Sequence, residues 1–233
     1  SIDCHFNQLD RKEKYNIGFC DFTFIATPNA ILNTSNNAIP FPCNPDDFLP
    51  DLTYLEKRLK NSLNLDLFVL TLPFGNFSKN VEKTLSFLKE FKIPIILDAA
   101  ASICLDFSKI KHVIEHICIS VCLSFNGNKV ITSGAGGAIL TSDESFSNRA
   151  RSLITLHRIG AYEHSAPGQN KKMPALNAAL GMSQLKELNN KKEKRLFLYS
   201  LYKKYSENFE RLGFDFFPTS QFELLSHWIY FLK

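Results

Sequence analysis

The sequence predicts an α/β fold, a mostly parallel sheet with helices on both faces. Three observations carry it. Short, continuous apolar runs recur at residues 65–72, 94–98 and 117–125, and such runs suit strands buried on both faces. Segments with apolar residues at helical spacing lie between them, as in Val81, Leu85, Leu88 and Phe91. Strands alternating with helices argue for a parallel sheet covered on both sides.

The elements follow in order. Residues 1–20 show no clear period, and residues 22–27 read as a strand or a strand end. Pro28-Asn29-Ala30-Ile31 suits a helix start, since proline is tolerated in a first turn. Residues 38–43 form a short extended piece, and Asn44-Pro45-Asp46-Asp47 a turn. Leu52, Leu55 and Leu59 share a helical face, with Asp51 as N-cap. Residues 65–72 are a strand, 73–76 a loop and 78–91 an amphipathic helix. Residues 94–98 are a strand that ends in a carboxylate, 110–116 a short helix and 117–125 a strand. Residues 130–132 and 137–141 read as a β-hairpin across a glycine turn, 143–156 as a helix, and 177–209 as one long helical stretch. The mixed text of 214–233 is able to begin a second sheet.

Composition narrows the class. The 233 residues are 45% hydrophobic and 21% charged, enough to bury a core. The 21 Phe are dispersed and read as core. A net charge of +4 without basic and aromatic interleaving excludes a nucleic-acid partner, and Lys191-Lys192-Glu193-Lys194-Arg195 reads as a solvated helix face. No run approaches the ~18 apolar residues of a membrane span. Residues 1–14 carry no apolar leader, although no initiator Met is present. The expectation is a soluble, cytoplasmic protein with no membrane partner. The six Cys show no zinc-type spacing and several sit in apolar runs, so they read as reduced, buried thiols with no metal.

Parallel strand ends converge on one sheet edge, where ligands bind in such folds. Three features fall there: Asp98 at the close of Ile95-Ile96-Leu97, Ser124-Phe125-Asn126-Gly127-Asn128-Lys129 after an apolar run, and Gly134-Ala135-Gly136-Gly137. A carboxylate at a buried strand end is costly unless it meets a cation. A buried lysine has a lowered pKa and serves as a nucleophile. A Ser among small residues suits a phosphate. Each also has a plainer reading, as a turn cap, a surface lysine or a hairpin turn. Spacing points to a site here but names no cofactor.

The segments Leu97-Asp98-Ala99-Ala100, Ser124 to Thr132 and Gly134 to Thr141, in this order, resemble the DegT/DnrJ/EryC1/StrS family of nucleotide-sugar aminotransferases. So do Phe22 to Ile31 and Met173 to Leu185, and the likeness runs from about Asp21 to Arg195. The resemblance implies a type I aminotransferase fold, a homodimer and pyridoxal 5'-phosphate as cofactor. It implies amino transfer, commonly from glutamate, to a keto group of a nucleotide-linked deoxysugar in polysaccharide, lipopolysaccharide or glycan synthesis. The wording around Lys129 is most similar to the branch acting on UDP-linked 4-keto-6-deoxy amino sugars. By position, Lys129 resembles the Schiff-base lysine and Asp98 the partner of the pyridinium nitrogen. Ser124 resembles a phosphate ligand, Phe24 the aromatic residue stacked on the ring, and Asn170 the asparagine that reaches the partner subunit's phosphate.

Departures from the family pattern are also legible. Ala101 stands where the family usually carries His, Gln or Glu, and Lys172 where it carries Arg. Residues 1–20 hold no counterpart of the family's Gly-Thr/Ser-Ala phosphate turn, and residues 228–233 fall where its small C-terminal domain begins. The expected organisation is an unmatched segment 1–20, a cofactor-binding large domain 21–195, and a linking helix with the start of a truncated small domain 196–233. A catalytically weak or inactive remnant, acting as a binding or interaction protein, is the alternative to an active enzyme.

Overall fold

The computed structural model describes residues 1–6, 14–218 and 222–232. The strands are β1 (Asn16–Cys20), β2 (Asn37–Phe41), β3 (Leu67–Thr71), β4 (Phe77–Ser78), β5 (Ile95–Asp98), β6 (Cys118–Ser124), β7 (Gly137–Leu140), β8 (Phe216–Phe217), β9 (Phe222–Leu224) and β10 (Phe231–Leu232). The helices are α1 (Ile2–His5), α2 (Ala26–Asn33), α3 (Leu52–Lys60), α4 (Lys79–Glu90), α5 (Lys111–Ile114), α6 (Glu144–Ile154), α7 (Ala175–Lys186) and α8 (Leu188–Glu210).

Six strands form the central sheet in the order β2-β1-β3-β5-β6-β7. The first five pair in parallel, and β7 runs antiparallel to β6. Side chains alternate across the sheet. On β3, Phe68 and Leu70 enter one core with Leu55 of α3 and Val81, Leu85 and Leu88 of α4. Leu67 and Val69 enter the opposite core with Ile17, Ile31 of α2 and Ile2 of α1. Both faces are thus covered, as the apolar runs predict. Each fully buried Leu or Val contributes about 1.5–3 kcal/mol. Helix ends are set locally: Asp51 accepts hydrogen bonds from the amides of Thr53 and Tyr54 at 2.9 and 3.0 Å, and Asp143 caps α6 through the Phe146 amide at 2.9 Å.

Several elements differ from the sequence reading. The first strand lies at residues 16–20, inside the stretch without a clear period. Gly18 interrupts its apolar pattern because a Cβ there would sit 2.6 Å from the Phe68 ring on β3. Residues 22–24 have left the sheet, whose ladder closes with the Asp21 amide bonded to the Phe41 carbonyl at 2.9 Å. The hairpin of 130–132 with 137–141 does not form. Here β7 pairs with β6, and Val130 and Ile131 are apolar because they are buried in a connecting loop. The single helical stretch is two helices, broken at Glu187. The basic run is not simply solvated. Lys191 Nζ donates to the Val130 carbonyl at 3.2 Å, and Arg195 donates to the carbonyls of His227 and Trp228 at 3.3 and 2.7 Å. The second sheet expected after residue 214 is present as two short antiparallel pairs, β8 with β10 and β9 with β4.

Candidate active site

The carboxyl ends of β3, β5 and β6, with the loop after β1, open on one cavity of about 1010 Å3. Thr71, Asp98 and Ser124, the last residues of their strands, line it, as do Phe24, Thr27 and Lys129. Parallel strands present all their carboxyl ends on one side, so residues far apart in sequence meet here.

Asp98 is held from two directions. The hydroxyl of Thr27, in the first turn of α2, donates to Oδ2 at 2.7 Å, and the Ala100 amide donates to Oδ1 at 3.0 Å. Thr27 belongs to a chain of hydroxyls, with Thr23 Oγ1 lying 3.3 Å from Thr27 Oγ1 and 2.9 Å from Thr71 Oγ1. Among the described residues no salt bridge reaches Asp98. The carboxylate is therefore oriented by neutral donors and opens on the cavity without an ion-pair partner.

Lys129 lies in the turn after β6, its amide bonded to the Asn126 carbonyl at 3.0 Å. Burial holds its amine below the ordinary lysine range, opposed by the negative charge of Asp98. Its Nζ lies 4.0 Å from the ring centroid of Trp228. The Trp228 indole N–H donates to the Asn128 carbonyl at 3.0 Å, and Arg195 grips the Trp228 backbone. Sequence reasoning did not single out Trp228, because 100 residues separate it from the carbonyl that it contacts. Thr27, the donor to Asp98, and the hydroxyls of Thr23 and Thr71 linked to it carry no local motif that marks them in the sequence.

The family model for the DegT/DnrJ/EryC1/StrS aminotransferases matches residues 8–231. The chain belongs to that family. It is 29% identical over 227 residues to EpsN of Bacillus subtilis, whose name describes a pyridoxal phosphate-dependent aminotransferase, covering 95% of this chain and 57% of that protein. It is 30% identical over 187 residues to a UDP-4-amino-4,6-dideoxy-N-acetyl-β-L-altrosamine transaminase of Campylobacter jejuni, covering 78% of this chain and 49% of that one. In fold it is similar to NtdA of Bacillus subtilis, solved with bound pyridoxamine phosphate, at a TM-score of 0.75 and 23% identity, covering 91% of this chain and 48% of that one. The chain spans about half the length of the curated relatives it matches. The fold is that of the type I aminotransferases, and the family's cofactor is pyridoxal phosphate.

The residues present fit that cofactor. A carboxylate with no ion-pair partner suits a protonated ring nitrogen, and an amine of lowered pKa suits covalent attachment. Ser124 lines the cavity, and its Oγ accepts from the Asn126 amide at 3.3 Å. Phe24, at the cavity wall, is 78% exposed, so its ring face is free to stack. Asn170 forms an isolated bridge with Thr155. Gln169 and Lys171 line the cavity, while Asn170 and Lys172 are not among its lining residues. Ala101 offers no polar side chain, and its carbonyl would lie 2.4 Å from a Cβ at Gly75, which the backbone holds at φ +82°. The backbone, not a side chain, fixes that wall.

Proposed function

We propose that this chain carries the cofactor site of a pyridoxal phosphate-dependent aminotransferase that acts on a nucleotide-linked keto-deoxysugar in polysaccharide or glycan synthesis. The observation that carries this reading is the pairing of Lys129 and Asp98 on one cavity, at the carboxyl edge of a parallel sheet. When bound, pyridoxal phosphate supplies the electron sink that stores the amino group between donor and acceptor.

The chain's own residues supply the rest. Asp98, fixed by Thr27 and the Ala100 amide, would be the acidic partner of the cofactor's ring nitrogen. Lys129, with its amine partly desolvated, would be the residue that holds the cofactor covalently and the group placed to move a proton at the reacting carbon. Ser124 would donate to the cofactor's phosphate, and Phe24 would cover a face of its ring. Asn170, which does not line this cavity, would be the residue that reaches the phosphate held by a partner subunit.

The amino donor is an amino acid, glutamate by family habit. The acceptor is a nucleotide sugar, and the likeness around Lys129 favours a UDP-linked 4-keto-6-deoxy amino sugar. The cavity suits such a ligand: Phe22, Phe48 and Phe74 give it an apolar wall, and Asn29, Asn126 and Asn128 give it hydrogen-bonding groups. At about 1010 Å3 it stands at the upper end of ordinary ligand pockets, with room for cofactor and sugar together. Residues 21–195 form the cofactor-binding domain in this reading, and 196–233 lead into a small second domain. A homodimer is supported by α7, where Leu176 and Met182 are exposed, and by Phe197 on α8. Among the described residues no helix is long and apolar enough to cross a membrane, which accords with a place in the cytoplasm.

The test is addition of pyridoxal phosphate to the purified chain. The expected result is a visible absorbance band that is absent from Lys129→Ala, together with light scattering that reports a dimer. If the unsubstituted chain gives no band, the enzyme reading is lost and the inactive-remnant reading takes its place. If Lys129→Ala keeps the band, the attachment residue is wrong.

A further inference from the structure

Outside the cavity floor, among the described residues, one group of three potential metal ligands is brought together: Cys20, Asp21 and Cys43. Its construction is a consequence of parallel pairing. Cys20 ends β1 opposite Phe41, which ends β2. The chain leaving β2 reaches Cys43 two residues later, and the Cys43 amide donates to Asp21 Oδ1 at 3.1 Å. The Asp21 amide in turn donates to the Phe41 carbonyl at 2.9 Å, and the bridge between Cys43 and Pro50 secures the far side. Both sulfurs and a carboxylate oxygen lie within 4.8 Å of one another. Cys20 is buried, Cys43 half-buried and Asp21 exposed, so the group is closed below and open above.

We propose that Cys20, Cys43 and Asp21 form a zinc site at the edge of the sheet, with a fourth position open to water. Two sulfurs and one carboxylate suit Zn2+, and they exclude Mg2+ and Ca2+, which take oxygen ligands. Zinc–sulfur bonds of ~2.3 Å and zinc–oxygen bonds of ~2.0–2.2 Å require tetrahedral ligand separations of roughly 3.5–3.8 Å. The present spacing, within 4.8 Å, is close to that geometry. On binding, each thiol S–H bond breaks and its proton passes to the buffer. Each sulfur keeps its electron pair to form a bond to zinc, and the ion gives up hydration waters. No oxidation occurs.

The site would tie the ends of β1 and β2 together. It would also anchor the Phe22–Phe24 loop, because Asp21 and Phe22 line the cavity. This inference stands independently of the aminotransferase reading.

The experiment is titration of the intact chain, reduced with a phosphine, with Cd2+ alone and then with Zn2+ in competition. The expected result is a sulfur-to-cadmium charge-transfer band that saturates at one equivalent and is displaced by Zn2+. It should be lost in Cys20→Ser and Cys43→Ser, retained in Cys104→Ser, and at least 10-fold weaker in affinity in Asp21→Asn. Because Cys20 is buried and its replacement perturbs the core, a second measurement uses the unsubstituted chain: Zn2+ should protect Cys20 and Cys43 from N-ethylmaleimide, mapped by mass spectrometry. No band at one equivalent overturns the site, as does a band that survives Cys43→Ser, unchanged affinity in Asp21→Asn, or protection of neither thiol. A Cys20–Cys43 disulfide in a chain that takes up no metal when reduced overturns it as well.

Discussion

Replacing Thr27 by valine removes one oxygen at nearly constant volume and tests the orientation of Asp98. Thr27 is buried, 5% exposed, and its hydroxyl donates to Asp98 Oδ2 at 2.7 Å. A hydrogen bond to a charged acceptor contributes about 1.5–3 kcal/mol net. Asp98 is half-buried, at the wall of the cavity. Thr27→Val should therefore lose about 1.5–3 kcal/mol in urea denaturation. At about 2–4 °C per kcal/mol for a chain of this size, Tm falls by about 3–12 °C. Thr27→Ser keeps the oxygen and loses one methyl group, a cost of about 0.8 kcal/mol. In an Asp98→Asn background the acceptor is neutral, and the valine penalty should shrink to about 0.5–1.5 kcal/mol. If Thr27→Val and Thr27→Ser cost the same, or the Asn background leaves the penalty unchanged, the hydroxyl does not act through the carboxylate.

The Lys129 amine should titrate below the ordinary lysine range when followed by NMR after reductive methylation, and Asp98→Asn should lower its midpoint further, since the Asp98 charge raises it. The native state then binds fewer protons than the unfolded one between the lowered value and about 10.4, so stability rises with pH across that window, and Lys129→Met should flatten the slope. Gly75→Ala should cost roughly 1–3 kcal/mol in thermal unfolding, because an alanine at φ +82° is strained and its Cβ would meet the Ala101 carbonyl. The Cys118 thiol, pushed up to about 12 by burial, should label slowly at pH 8 in the native chain and rapidly in urea.

The legible part of this protein was the part encoded locally. Period-2 burial on Leu67, Phe68, Val69 and Leu70 and helical burial on Val81, Leu85 and Leu88 follow from side-chain direction in strands and helices, so the two-faced sheet could be read from the order of residues. The Asp51 and Asp143 caps are equally local, since each side chain bonds amides two or three residues on. Lys129 and Asp98 were legible for a different reason: each follows an apolar run that must end at the sheet's carboxyl edge.

The misread elements were those in which apolarity had a tertiary cause. Val130 and Ile131 looked like a strand because both strands and buried loops exclude water. β1 was hidden because Gly18 makes room for a ring from β3. What only the tertiary structure decided was which distant groups meet. Trp228 against Lys129, Thr27 against Asp98, and Cys43 beside Cys20 and Asp21 are all non-local. No spacing rule records such contacts, because strand order, not chain order, sets them. The sequence by itself determined where the chain turns, which faces are apolar and where a carboxylate and a lysine must emerge. The packing of parallel strands decided what those groups touch.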